Sequence, residues 1–235
     1  MMLEQIRRSV RDAGPSGACL DLTYKVLNRL TTFMALTMVS LVPEGVDRSY
    51  LTGHAGYVHR FLRGSELNTF SRDPANDLPQ DFVSGALAKG DRCYAILDGD
   101  VLAAYGWYAR GKTPITEELT LRFDPEWVYM YKGFTRPEYR GQRLHAIGMA
   151  KAMMEYAGEG LRGIVSFVEA NNFASLKSCY RLGYAQVGTI YALRLGRHFF
   201  VHVTAGCPAL GLDLEPRVRV ADAPSAPRGS RRSAG

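Results

Sequence analysis

Apolar and polar positions along this chain alternate with two periods, and the changes of period mark its elements. Between residues 19 and 33, Leu20, Tyr24, Leu27 and Leu30 recur at helical spacing with Lys25 and Arg29 off that side, which predicts an amphipathic helix. Ala35 to Val42 is an apolar run of strand length. Residues 56–70 mix apolar and polar positions at helical spacing, predicting a second helix interrupted by Gly64, and residues 80–89 predict a third, with Asp81 near its start and Gly90 after its end. Arg92 to Leu97 and Val101 to Ala109 read as strands joined by Asp98-Gly99-Asp100, the clearest hairpin signal in the chain. A strand over 126–134 leads into a helix over 142–156. Its Leu144, Ala146, Ile147, Met149, Ala150, Met153 and Met154 leave almost no polar side, so it should lie buried against a sheet. A buried strand over 163–168, a short helix over 174–181, a strand over 184–195 and, after Gly196-Arg197, a last strand over 198–204 complete the pattern.

Antiparallel hairpins, one helical crossover and a closing hairpin predict the α/β class: a mixed, mostly antiparallel sheet flanked by helices. The expected division is an N-terminal helical extension over 1–34, one domain over 35–205 and a basic tail over 206–235. From about Glu215 that tail is rich in Pro, Ser, Ala, Arg and Gly and buries too little to fold.

Charge changes this picture little. The net charge is +6, but residues 215–235 contribute +3 and residues 1–12 another +1, leaving a body of only +2. Nucleic acid is therefore not an expected partner, and the basic tail reads as a solvated appendage. No apolar run approaches the ~18 residues needed to span a bilayer, and the N-terminal arginines have no apolar core behind them as a secretory signal would. Four cysteines without paired spacing argue against a zinc site or disulfide framework and fit a reducing cytoplasm. The five histidines do not pair at ligand spacing, so no metal is expected.

The candidate chemistry lies in Thr135-Arg136-Pro137-Glu138-Tyr139-Arg140-Gly141-Gln142-Arg143-Leu144-His145. Strand, tight turn and helix start meet here with two arginines at the junction. Such a place offers unpaired backbone N–H groups, the positive end of a helix dipole and fixed cations, and so suits a phosphate.

Pro137-Glu138-Tyr139-Arg140-Gly141 resembles the acyl-CoA pyrophosphate loop of the GNAT acyltransferase superfamily, whose pattern is Arg/Gln-x-x-Gly-x-Gly/Ala after a strand. Asn172-Phe173-Ala174-Ser175 with Arg181-Leu182-Gly183-Tyr184 resembles that superfamily's second motif, an asparagine after a strand, then a helix and a Leu-Gly-aromatic turn. The resemblance covers roughly residues 91–204. It implies acetyl-CoA or another acyl-CoA as co-substrate, with Phe134 and Thr135 on the pantetheine arm and Arg140, Gly141, Gln142, Arg143, Leu144 and His145 around the pyrophosphate. It places Asn172 on the arm's other side, with Ser175 beside it. The chain departs from the pattern where Arg143 takes the place of a glycine and His145 that of a small residue.

The catalytic residues that the resemblance implies are less sharply marked. The family's tyrosine, which protonates the leaving thiolate, falls on Cys179, with Tyr180 one residue later; one helical step turns a side chain by ~100°. Glu169, just before the asparagine, is the best-placed carboxylate for taking a proton from an attacking amine. The aromatic groups Tyr105, Trp107, Tyr108 and Trp127, Tyr129, Tyr131 fit either a core or an acceptor pocket. The expected activity is acyl transfer to an amine of a small molecule or protein. Acyl carrier protein or aminoacyl-tRNA as donor, a non-catalytic acyl-CoA-binding module and a homodimer remain open alternatives.

Overall fold

The computed structural model describes residues 31–53 and 55–217, together with 14, 15, 17, 19 and 22–28. Residues 22–28 are helical and seat Tyr24 edge-on against Phe33, ring centroids 5.6 Å apart. Leu20 and Leu30 of the expected apolar stripe lie outside the described residues.

Eight strands form the main sheet: β1 (Phe33–Leu41), β2 (Tyr57–Phe61), β3 (Arg92–Asp98), β4 (Val101–Ala109), β7 (Trp127–Thr135), β8 (Gly163–Glu169), β9 (Ala185–Leu195) and β10 (His198–Val203), in the order β10-β9-β1-β8-β7-β4-β3-β2. Every neighbouring pair is antiparallel except β7 and β8. That exception follows from the long helix joining them, because parallel strands need a crossover. The helices are α1 (Ser49–Thr52), α2 (Gly64–Phe70), α3 (Gln80–Ala88), α4 (Leu144–Gly158) and α5 (Phe173–Leu182). This is the mixed, mostly antiparallel sheet flanked by helices that the pattern predicts.

α4 is buried as its nearly unbroken apolar surface requires. Ile147, Ala150, Met153 and Tyr156 pack on Val39, Ile96, Val128 and Ile164 across the middle of one sheet face. The other face carries two separate cores. One lies under β3 and β4, closed by Leu67 of α2 and Val83 and Ala86 of α3. The other lies under β1, β8 and β9. Tyr131 of β7 packs against both, so the two cores meet beneath that strand.

The apolar run over 35–42 forms the expected strand, and two other expectations need correcting. That strand, β1, is internal to the sheet, pairing with β8 on one edge and β9 on the other. Residues 56–70 are not one helix but strand β2 followed by helix α2, and the apparent helical spacing spans the break before Gly64. A small second sheet, β5 (Thr113–Pro114), β6 (Leu119–Arg122) and β11 (Asp213–Pro216), was not legible in the pattern. It takes in residues expected to open the tail. Cys207, Leu212 and Leu214 are buried beside Leu119 and Leu121, and at ~1.5–3 kcal/mol per buried aliphatic side chain this is enough to hold the segment down. Residues 218–235 of the expected tail lie outside the described residues.

Candidate functional site: a forked strand pair beneath a helix start

The parallel ladder between β7 and β8 has only three pairs, Trp127 with Gly163, Val128 with Ile164 and Tyr129 with Val165. Beyond them the strands diverge, because each is fixed to a different neighbour. β4 holds β7 as far as Thr135, and β1 holds β8 as far as Glu169. The β4–β7 register also slips between Trp107 and Tyr108, leaving Tyr131 as an extra residue on β7. A bulge of this kind bends and twists its strand, and it sits two residues past the last β7–β8 pair. At the fork the Ser166 hydroxyl donates to the Met130 carbonyl at 2.9 Å, completing a backbone acceptor there. From Tyr131 to Thr135, β7 therefore has one edge without a strand partner among the described ladders, and Gly133 on it is exposed.

The open end of this fork is where the phosphate-loop residues lie. β7 ends at Thr135, a 3-10 turn covers Pro137–Tyr139, and α4 starts after Arg143 with no side-chain cap. The first N–H groups of such a helix have no intrahelical acceptor. The loop is held from its outer side. Arg136 donates through its backbone to the Ala103 carbonyl at 3.0 Å, and its guanidinium binds Asn76 Oδ1 at 3.0 and 2.7 Å and the Asp73 carboxylate. Tyr139 donates to Asp98 Oδ2 and Tyr57 to Gln142 Oε1, both at 2.8 Å. Arg136, the most obvious cation in the motif, thus serves the loop's own structure, leaving Arg140 and Arg143 as the cations for a ligand.

Arg143 does not deform the helix start despite its large side chain. Its φ of 59° is the left-handed conformation that glycine would take freely, and arginine holds it at a cost of ~1–2 kcal/mol. The backbone path expected of a glycine is kept, with a guanidinium added. Its charge reaches Asp47, whose carboxyl is held below its usual range mainly by the backbone and side chain of Ser49 and only last by Arg143.

His145 turns away from the loop. Its ring fills the space beside Gly133, where a Cβ would stand 2.0 Å from the ring's Cε1. The large residue in the loop is accommodated by a missing side chain in the strand. Sequence reasoning missed Gly133, although a glycine inside a strand is a recognised sign of close approach. The residue keeps some exposure at one edge, but enclosure of the ring lowers its pKa to about 4. With the folded pKa below the ordinary 6.5, the unfolded chain takes up the proton first. Stability should fall as pH drops from about 6.5 through about 4. Urea titrations of wild type and His145→Gln across that window test this: the wild-type curve should be steeper, and parallel curves would refute the assignment.

The second motif begins at the same end of the sheet, since β7 and β8 are parallel and both finish there. Asn172 caps α5, its Oδ1 accepting the Ser175 N–H at 3.2 Å. At the other end of α5, Gly183 is left-handed (φ 109°) and packs on the Gly45 carbonyl, while the Leu182 carbonyl accepts the Asp47 N–H at 3.0 Å.

Glu169 is exposed at the end of β8, paired across the ladder with Leu36, and its charge is felt by Tyr24. Burial is the larger reason that the Tyr24 phenol is pushed up. Cys179 and Tyr180 lie about 10 Å further along α5 by the helical rise. Cys179 is on the core side, where burial pushes its thiol up; Tyr180 is exposed and donates to Gln186 Oε1 at 3.1 Å. The fork thus has Phe134, Thr135, Glu169 and Asn172 at one end, with Arg140 to Arg143 leading into α4; Leu144, expected beside a pyrophosphate, is instead buried in the core, and His145 lies against Gly133.

The aromatic groups are mostly core. Tyr105, Trp107, Tyr108, Trp127 and Tyr129 are buried, whereas Tyr131 is half-buried and donates to Asp91 Oδ2 at 2.8 Å. Beside it, Phe82 and Phe134 form a partly exposed aromatic rim, and Phe134 stacks on Tyr105 at 5.5 Å. A separate open groove of about 620 Å³, lined by His59, Tyr94, Lys151, Met154 and Glu155, lies along the C-terminal half of α4, away from the fork. Among the described residues no group of three His, Cys, Asp or Glu side chains is arranged to hold a metal ion, and no helix is long and apolar enough to cross a membrane.

No protein-family model matches the chain, and no curated protein matches it. Among solved structures, it is similar to a GNAT-family protein from Novosphingobium aromaticivorans (19% identity, TM-score 0.47), covering 69% of this chain and 64% of that one. It is also similar to a GCN5-related N-acetyltransferase-like protein from Streptococcus suis (15%, TM-score 0.48, covering 75% and 67%). A GNAT-family acetyltransferase from Colwellia psychrerythraea is a third (15%, TM-score 0.47, covering 72% and 60%). The chain spans less than two thirds of the length of the first and third of these.

Proposed function

We propose that this chain is an acyltransferase of the GNAT type, moving an acyl group, most simply acetyl, from acyl-CoA to the amine of an acceptor. The observation that carries the reading is the fork between β7 and β8, opening directly beneath the uncapped start of α4. A pyrophosphate fits the helix start, where backbone N–H groups and the dipole favour an anion and Arg140 and Arg143 add charge. The pantetheine arm fits the strandless edge of β7 from Tyr131 to Thr135, its amides pairing with main-chain groups as an added strand would.

In the reaction the acceptor nitrogen attacks the thioester carbonyl carbon, the C–S bond breaks, and the sulfur leaves as a thiolate that takes a proton. The ammonium proton must first be lost, and Glu169, exposed at the end of β8, is the carboxylate at this end of the fork. For the thiolate, Cys179 on the core side of α5 is the candidate donor; it is protonated at neutral pH, and burial, by pushing its thiol up, makes it a weaker acid. Tyr180 is the alternative only if it leaves Gln186.

Isothermal titration with acetyl-CoA tests the donor. Saturable binding is expected, with Arg140→Ala and Arg143→Ala each raising Kd about tenfold, the worth of one charge-assisted contact to phosphate. No binding of acetyl-CoA or of longer acyl-CoAs would exclude CoA as the donor, and saturable reaction with acyl carrier protein instead would reassign it.

A further inference from the structure

The outer edge of β10 ends the main sheet, and among the described backbone hydrogen bonds none reaches it from outside. Its sequence, His198-Phe199-Phe200-Val201-His202-Val203, contains no proline, lysine or arginine, and its register with β9 is unbroken. Exposed edges are usually blunted by charge, proline or a bulge. β2 at the opposite edge is guarded in that way, with Arg60 held by Glu66 at 2.7 and 3.0 Å.

The outward face of this end is also apolar. Phe200 is 59% exposed, Leu195 53% and Tyr191 40%, and all three lie on one face, since Phe200 pairs with Leu193 between the other two. Leu193 in turn pairs with Phe33, on which Tyr24 of the 22–28 helix rests. That helix also exposes Leu22 (45%) and Val26 (50%), which lie together on its side turned away from Tyr24 and are not part of this face. At ~200 Å² for a full large side chain, these three sheet residues expose roughly 300 Å². A standard interface needs ~800 Å² per partner, so the paired strand's backbone and its inner-face side chains must contribute alongside these residues.

We infer that β10 is a self-association edge, pairing antiparallel with β10 of a second copy so that the two sheets run on as one. The register follows from the hairpin. Gly196-Arg197 is a two-residue turn closed by Leu195 and His198, so those two exchange both backbone bonds. By alternation Phe199, Val201 and Val203 turn their N–H and C=O groups outward. A twofold axis at Val201 then sets Phe199 opposite Val203 of the second copy and Phe200 opposite His202. The strand is self-complementary there, with no like charges facing. On the inner face Phe199, Val201 and Val203 already pack on the core under β9, which would continue across the axis.

Sedimentation velocity of the full chain over a dilution series is the test. A dimer is expected, weakened at least tenfold by Phe200→Lys, which sits on an exposed position and leaves the melt unchanged at dilutions where the wild type is also monomeric. The double variant F200K/H202E should recover the dimer, because residue 200 of one copy faces residue 202 of the other. A wild-type chain that stays monomeric throughout overturns the inference. So does a dimer indifferent to Phe200→Lys, which would place the contact elsewhere, for example on residues 1–13. Failure of the double variant to recover association overturns the strand pairing.

Discussion

Gly183→Ala should destabilise the protein by about 4 kcal/mol and lower its melting temperature by roughly 10 °C. Two costs add. Position 183 is left-handed at φ 109°, where any side chain meets a penalty of ~1–2 kcal/mol. The methyl group would also stand 1.7 Å from the Gly45 carbonyl oxygen, which is backbone and cannot rotate away. Relief needs the 43–47 segment to shift, and that shift breaks the bond from the Asp47 N–H to the Leu182 carbonyl. Gly90→Ala is the matched control. Its φ is 81°, but nothing lies within 4 Å of the added methyl, so only the conformational penalty applies. Thermal or urea unfolding of the two variants isolates the contact: equal losses would show that the Gly45 carbonyl is not what position 183 accommodates.

The second large effect is expected at Gly133. An added Cβ would sit 2.0 Å from His145 Cε1, inside the ring's own space. The ring must move into the loop above or force β7 outward, and either movement disturbs the strand edge and helix start proposed to hold the donor. Gly133→Ala should therefore cost about 2 kcal/mol of stability and weaken acetyl-CoA binding at least tenfold. The informative variant is the pair. With His145→Ala in place the ring is gone, and adding Gly133→Ala should then cost less than about 1 kcal/mol. Simple additivity in the double-mutant cycle would mean that glycine is needed at 133 for another reason.

Most individual elements were legible because their apolar periodicity is strong and local. α4 shows this best: its uninterrupted apolar surface predicts a central, buried helix, and Tyr156 and Met153 are fully enclosed. The hairpin of β3 and β4 was legible from Asp98-Gly99-Asp100. Residues 56–70 were misread because a five-residue strand and a seven-residue helix, placed end to end, imitate one helical period. β5, β6 and β11 are two to four residues each, too short to show any period. Their existence depends on Leu214 finding Leu121 from ninety residues away, a contact that no local pattern encodes.

The candidate site divides along the same line. The sequence alone determined that a strand, a tight turn with Arg140 and a buried helix follow one another, because glycine, proline and apolar spacing act within a few residues of themselves. It also marked Asn172 and the Leu182-Gly183 turn, which cap α5 by local geometry. Only the tertiary structure decided that β7 and β8 part after Tyr129 and Val165, since that depends on β1 entering the middle of the sheet and holding β8. It alone decided that Arg136 is spent on Asn76 and Asp73, that Arg143 keeps a glycine-like backbone, and that His145 lies against Gly133. Each of these is set by groups distant in sequence competing for one place, and such competition is resolved by packing.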